Sequence, residues 1–385
     1  MAKKIAVGID IGTHQVKVVV SELLKEKSKT IPRIIGRGLS ESKGLRHGYI
    51  VNQNDVIKSL EKSIKQAERS SNIKIKKAYI SIGGVSLEGI KSEGSTIATK
   101  GDYEITELDI EKAVNSSKNN LQLLNRKVIH TIPIQYKVDG QKVLGHPVGL
   151  KGKKLEVQTL FITYLKQHLD DLIHAVESAG IEVEDVVASP IASSIVTLTK
   201  SQKIAGCVLA NLGSETVSII VFENNIPISL EIFPVGSINI TNDIALGLKI
   251  PLEEAEKIKT GSVSNTSYPK KKLDEIILAR LADIFELIDA HLKSVGRSRL
   301  LPAGIILTGG GSGITTIEDL AKASLKLPSK IATINFINNS SSNKIKDSTW
   351  SVAYGLCVFG LTNTEESKKD KIFKRIKNWL RQFSI

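Results

Sequence analysis

Cysteine is nearly absent: Cys207 and Cys357 are the only two in 385 residues, and each stands inside an apolar run. That excludes a disulfide-stapled fold and a cysteine-rich metal centre, and both read as small core residues of a reducing compartment. Aromatics are sparse at 4%, with two Trp, so any local concentration of rings carries information. No stretch reaches the ~18 apolar residues a membrane-spanning helix needs. The opening "MAKKIAVGID" reads as the start of a strand, not as a secretory leader, and the expectation is a cytosolic protein. Negative charge is in deficit, since 40 acidic against 53 basic residues leave +13. Such an excess invites an anionic partner, nucleic acid or a membrane surface. Nearly half of it sits in 368–385, where Lys368, Lys369, Lys371, Lys374, Arg375, Lys377 and Arg381 outnumber Asp370.

At 41% hydrophobic, the chain has material for one large core or two moderate ones. Apolar runs alternate with helical patterns, which reads as an α/β protein. "KIAVGIDIG" and "QVKVVVSEL" form a strand pair around a glycine turn. Asn54 is expected to cap a helix whose apolar stripe is Val56, Ile57, Leu60, Ile64 and Ala67. "KKAYISIGG" follows as a buried strand. The texture then changes, with strand-like "KVIHTIPIQYKVDG" and "LEVQTLFITYL" around a helix near 109–117. The stretch 84–163 therefore reads as a small α+β insertion. A helix over 169–179 stops at Gly180, and a second strand pair, "AGCVLANLGSETVSIIVFENN", echoes the first. Long helical stretches are expected over 239–260 and 273–295, a loop over 338–344 and a linker over 363–370.

Three turns carry chemistry. In "GIDIGTHQVKVVV" a strand delivers Asp10 to its end, and Gly12 permits a tight turn. Thr13, His14 and Gln15 then offer backbone N–H groups to phosphate oxygens. Lys17 reaches back as a point charge, and Asp10 suits a hydrated Mg²⁺. The second hairpin repeats the shape with Asn211, Gly213, Ser214 and Thr216. "ILTGGGSG" presents Gly309, Gly310 and Gly311 past a late strand, where bare backbone can lie against a base or ribose. Each turn alone is equally readable as a plain glycine turn. Three in this order are far more specific.

This set resembles the actin/Hsp70/sugar-kinase superfamily and, within it, is similar to the FtsA family of actin-like bacterial cell-division proteins. The likeness is carried by "VIHTIPIQYKVDG" with "HPVGLKG", "SPIASSIVTLT", "PVGSINITNDIALGL", "EEAEKIKTG", "RLADIFELI" and "AGIILTGGGSGI". It implies an actin-like (ribonuclease-H-like) two-domain ATPase fold with an inserted α+β domain and a C-terminal amphipathic helix. Domain I would comprise 1–83, 164–200 and 336–362, interrupted by the insertion at 84–163. Domain II would be 201–335, with a peripheral lobe near 245–300. A linker at 363–370 would lead to a helix at 371–385. Asp10, Gly12, Thr13 and Lys17 would form the first phosphate loop, and Asn211, Gly213, Ser214 and Thr216 the second. Gly236 would approach the nucleotide from the opposite domain, Glu256 and Lys259 would contact ribose and adenine, and Gly309 to Gly311 would close the adenosine side. For Glu256 and Lys259 the plain alternative is an exposed i,i+3 ion pair, worth a few tenths of a kcal/mol.

The second loop departs from the family's D-x-G-G-G-T pattern. Asn211 lacks the charge that would order Mg²⁺ or a hydrolytic water. Glu215 adds a carboxylate where bare backbone should meet phosphate, and at about 5 Å the repulsion is roughly 3 kcal/mol at an effective dielectric near 20, unless the side chain points away. The expectation is an ATP-binding protein with very weak or no hydrolysis.

On a helical wheel Ile372, Phe373, Ile376, Trp379, Leu380 and Phe383 make one apolar stripe, beside Lys374, Arg375, Lys377 and Arg381. A helix docked on its own domain shows such a stripe but rarely so many cations. A nucleic-acid contact uses the cations and leaves the stripe unexplained. An in-plane membrane helix accounts for both, and the resemblance implies the same. Partial burial of six large side chains yields about 6–9 kcal/mol, much of it offset by ordering a frayed helix at about 1 kcal/mol per residue. Single tails should therefore bind modestly, and many on one filament by avidity. The resemblance implies an adaptor that assembles into filaments, receives the C-terminal peptide of the tubulin-like FtsZ, and binds anionic lipid. It would sit on the cytoplasmic face of the bacterial inner membrane at the division site, with further division proteins as partners and no nucleic acid. Arg280, near Lys270, Lys271, Lys272, Arg297 and Arg299, is the candidate for the FtsZ peptide, with solvated helix surface as the alternative. Two other readings share the fold. A pilus-assembly protein would reach the membrane through a partner, and a small-molecule kinase would need a catalytic carboxylate for which no candidate stands out.

Overall fold

A computed structural model of the chain describes residues 4–26, 29–262, 268–334 and 347–363. Two five-stranded sheets share one plan. In the first, the strands run in the order Glu182–Ala188, Lys77–Ile82, Ile5–Ile11, Gln15–Glu26, Lys29–Glu41. Ile5–Ile11 pairs antiparallel with Gln15–Glu26, which pairs antiparallel with Lys29–Glu41. The remaining two strands are parallel to Ile5–Ile11. The second sheet, Ile226–Phe233, Val217–Glu223, Cys207–Leu212, Ile305–Thr308, Ser329–Ile331, repeats this three-antiparallel, two-parallel order. The echo read from the hairpins thus extends to whole sheets. Their central strands are largely apolar and buried, and Ile305, Ile306, Leu307 and Thr308 are all covered.

The helix Gln53–Ser71 buries Val56, Leu60, Ile64 and Ala67, with Ile57 partly covered. Its cap is Asn52, whose side chain accepts from the Asp55 N–H, and not Asn54, which lies inside the first turn. The stretch expected as one helix over 239–260 is two, Ser237–Leu248 and Leu252–Lys259. Lys249 adopts left-handed backbone, φ 57°, and Pro251 withholds the next ladder donor. Lys270–Ser294 forms the long helix expected there. Ser351–Asn363 packs across the first sheet so tightly that a Cβ on Gly8 would stand 2.2 Å from the Ala353 carbonyl oxygen.

The insertion is a four-stranded antiparallel sheet, Glu88–Ile97, Lys154–Leu165, Arg126–Val138, Gln141–Val143. The helix Glu107–Asn119 covers one face, and Thr106 and Asp109 close a capping box at its start. Ile105, Ile110, Val114, Leu155 and Val157 form its own core. The loop expected over 338–344, residues 364–370 of the expected linker and the tail at 371–385 lie outside the described residues. Asn363, taken as the linker's first residue, instead ends the helix Ser351–Asn363.

Candidate functional site

Register aligns the two hairpins residue by residue. Asp10 pairs with Lys17 and Ile11 with Val16; Asn211 pairs with Ser218 and Leu212 with Val217. Each turn closes on the same bond: Gly12 N–H to the Gln15 carbonyl at 3.1 Å, and Gly213 N–H to the Thr216 carbonyl at 2.9 Å. Asn211 therefore occupies the position of Asp10, Glu215 that of His14, and Ser218 that of Lys17.

Both turns face one cleft of about 690 Å³, a volume in the range of small-molecule sites. It brings together Asp10, Gly12, Thr13 and Lys17 with Asn211, Gly213, Ser214 and Thr216, and adds Glu256, Lys259, Gly309 and Gly310. Behind Ser351 a buried hydroxyl chain joins the halves: Ser193 donates to Ser351 at 2.9 Å, Ser351 lies 3.3 Å from the Thr308 hydroxyl, and Thr308 donates to the Ser348 carbonyl at 3.0 Å.

Asp10 and Lys17 are the charged pair at the first turn. Burial pushes the Asp10 carboxyl up, against the opposing pull of Lys17 and of the Ser81 hydroxyl, which donates to it at 2.8 Å. Burial likewise pushes Lys17 down, against Asp10 and Asp347. For each group the loss of solvent outweighs the attraction of its partner. A phosphate beside Lys17 and a hydrated cation beside Asp10 would each favour the charged form. The donors nearest the first turn, the Asp10 carboxylate with hydroxyls and backbone, suit Mg²⁺ bound through water and phosphate. Among the described residues no group of three His, Cys, Asp or Glu gathers to hold an ion without a ligand.

Glu256 and Lys259 are more than a surface pair. The Lys259 side chain is 8% exposed, and its Nζ donates to Glu256 Oε2 at 2.7 Å, to Thr241 Oγ1 at 2.8 Å and to the Ser237 carbonyl at 3.1 Å. Thr241 donates in turn to Glu256 at 2.6 Å. Burial alone would raise the Glu256 pKa, but the bonds from Lys259 and Thr241 outweigh it and hold it below the ordinary value.

Gly236 and Gly311 do not line the cleft. Gly236 acts through packing, since a Cβ there would fall 2.3 Å from the Ser214 carbonyl oxygen. That approach lets the Ser237 and Ile238 amides, at a helix start, donate to the Gly213 and Ser214 carbonyls, both at 2.9 Å. Gly311 is buried against Leu212. Gly309 has φ 87°, and a Cβ on it would stand 2.2 Å from Asn211 Oδ1.

Glu215 points away from the cleft, its carboxylate accepting from the backbone N–H of His47 in the opposite half. The repulsion expected for it at the phosphate position is thereby relieved. Arg280 is already engaged: it grips Asp243 at 2.6 and 3.1 Å and reaches Asp283 at 3.3 Å. Nor do its expected neighbours converge. Lys270–Lys272 begin a 25-residue helix about 36 Å long. Arg297 lies beyond its far end, paired with Glu223 at 2.6 Å, and Arg299 follows it. Residues the sequence reading passed over also line the cleft, among them Thr241, Asn242, Lys257, Thr349 and Ser351. The signal for the first two was present in "SINITND", a polar helical face directly after a glycine.

Two similar halves clamping a cleft with paired hairpin turns define an actin-like protein. The structure matches that of the PilM-PilN type IV pilus biogenesis complex with a TM-score of 0.68 at 16% identity, covering 92% of this chain and 98% of that one. It matches MreB5 of Spiroplasma citri bound to ADP with a TM-score of 0.53 at 13% identity, covering 97% and 99%. Sequence narrows the class. Residues 208–355 match the family described as cell division protein FtsA, and residues 84–163 match the SHS2 domain inserted in FtsA. The cell division protein FtsA of Borreliella burgdorferi is 29% identical over 412 residues, spanning 98% of each chain. The chain belongs to the FtsA family of cell-division proteins.

Proposed function

We propose that the chain is an adaptor of the division ring: it binds ATP with Mg²⁺ in the cleft, assembles into actin-like filaments, recruits the C-terminal peptide of FtsZ, and holds it at the cytoplasmic face of the inner membrane. The observation that carries this is the pair of register-matched turns facing one cleft, with Lys17 and Asp10 side by side at the first of them. Thr13, Ser214 and Thr216 hold the phosphates with their turn amides and hydroxyls, Lys17 supplies charge, and Glu256 with Lys259 orders the ribose and base side. Hydrolysis is weak or absent, because Asn211 stands where a second carboxylate would order water. Among the described residues no helix is long and apolar enough to cross a membrane. Attachment is assigned to the apolar stripe Ile372, Phe373, Ile376, Trp379, Leu380 and Phe383 with its flanking cations, outside the described residues.

The test is co-sedimentation of FtsZ with vesicles containing anionic lipid. With ATP, the full chain brings FtsZ down with the vesicles, and a chain lacking 371–385 leaves it in the supernatant while remaining folded by circular dichroism. Equal sedimentation with the shortened chain contradicts the reading.

A further inference from the structure

The turn at His47–Gly48, between the short strands Leu45–Arg46 and Tyr49–Ile50, touches two other parts of the molecule at once. On one side the His47 N–H donates to the Glu215 carboxylate, and His47 Nδ1 lies 3.3 Å from the Glu215 carbonyl oxygen. On the other, the His47 carbonyl accepts from the Val85 N–H at 3.1 Å, at the opening of the insertion. Gly48 and Gly84 cross backbone to backbone: both have left-handed φ, 86° and 91°, and a Cβ on Gly48 would stand 2.5 Å from Gly84 Cα. The insertion grips the same segment. Arg126 donates to the Ser86 carbonyl at 2.6 Å, and the Tyr164 hydroxyl donates to the Gly83 carbonyl at 2.9 Å.

We propose that Glu215 and His47 form a clasp that transmits occupancy of the second hairpin turn to the root of the inserted domain; this rests on reading the cleft as a nucleotide site. The turn has little freedom on its carbonyl side, where Gly213 and Ser214 are bonded to the start of the helix Ser237–Leu248. Phosphate bound on the amide side restrains the Gly213–Thr216 backbone, and with it the Glu215 backbone from which the carboxylate reaches His47. The glycine crossing has no side chains to absorb movement, so the restraint passes to Val85 and the insertion behind it. The His47 and Val85 amides report the two links individually.

Amide-resolved hydrogen exchange on the full chain tests it. Without nucleotide, Glu215→Ala speeds exchange of the His47 amide about tenfold or more, while Glu215→Gln, whose side-chain oxygen still accepts, stays near wild type. ATP with Mg²⁺, at concentrations calorimetry shows to saturate each protein, slows exchange at His47 and Val85 about threefold or more in wild type and not in the Ala variant. Equal His47 exchange in wild type and the Ala variant without nucleotide overturns the clasp. Slowing at Val85 that survives in the Ala variant overturns the transmission. A wild-type chain that takes up no ATP removes the nucleotide reading and the transmission with it, and the nucleotide-free comparison then decides the clasp alone.

Discussion

Replacing Lys259 by Met keeps the aliphatic stem and removes only the ammonium. Three hydrogen bonds are lost, to Glu256, Thr241 and the Ser237 carbonyl. The Ser237 carbonyl is left without that donor beside a side chain only 8% exposed, a loss of about 1 kcal/mol. The Glu256 carboxylate is 47% exposed, so water replaces part of its lost partner, and about 1 kcal/mol remains. The sum, about 2 kcal/mol, is several times the few tenths that an exposed i,i+3 pair contributes. Urea unfolding at neutral pH reads the difference. The Glu256 pKa is depressed in the folded state, so its contribution is present above the unfolded value of 4.5 and is lost as pH falls through the folded one. The gap between wild type and Lys259→Met should therefore narrow as pH falls below 4.5. A cost under about 0.5 kcal/mol, or one unchanged on acidification, refutes the buried-network account of this pair.

Three further outcomes follow from the same geometry. Gly8→Ala drives a Cβ into the Ala353 carbonyl and Leu356, and should cost about 3 kcal/mol in thermal or urea unfolding; a wild-type melting curve refutes the packing. Asp10→Asn removes the carboxylate proposed to hold the cation, so ATP affinity should lose its dependence on Mg²⁺; retention of that dependence in calorimetry excludes Asp10 from the cation. Arg280→Glu sets a carboxylate against Asp243 and Asp283, so FtsZ binding should fall while vesicle binding persists; undiminished FtsZ binding excludes Arg280 from that site.

Much of the site was legible because its chemistry is local. Asp10 and Lys17, or Asn211 and Ser218, become partners once a tight turn is read, since strand register sets the rest. What was not legible depends on distant backbone. Gly236 resembles a ligand contact until Ser214 is seen against it, and Glu215 resembles an obstacle until the His47 N–H is seen donating to its carboxylate. The break at Lys249 escaped notice because a left-handed cap is usually signalled by Gly or Asn, and here it is Lys. Asn52 and Asn54 offer the same capping chemistry two residues apart, and only the bond to Asp55 distinguishes them. The basic cluster around Arg280 looked compact in sequence, but the helix between its members is too long to let them meet.

Titration calorimetry of the full chain with ATP, with and without Mg²⁺, tests most directly whether the paired turns hold a nucleotide. One ATP per chain, bound more tightly with Mg²⁺ and weakened when Lys17 is replaced by Ala, is the expected result. No binding up to about 1 mM ATP, or binding indifferent to both Mg²⁺ and Lys17, contradicts it.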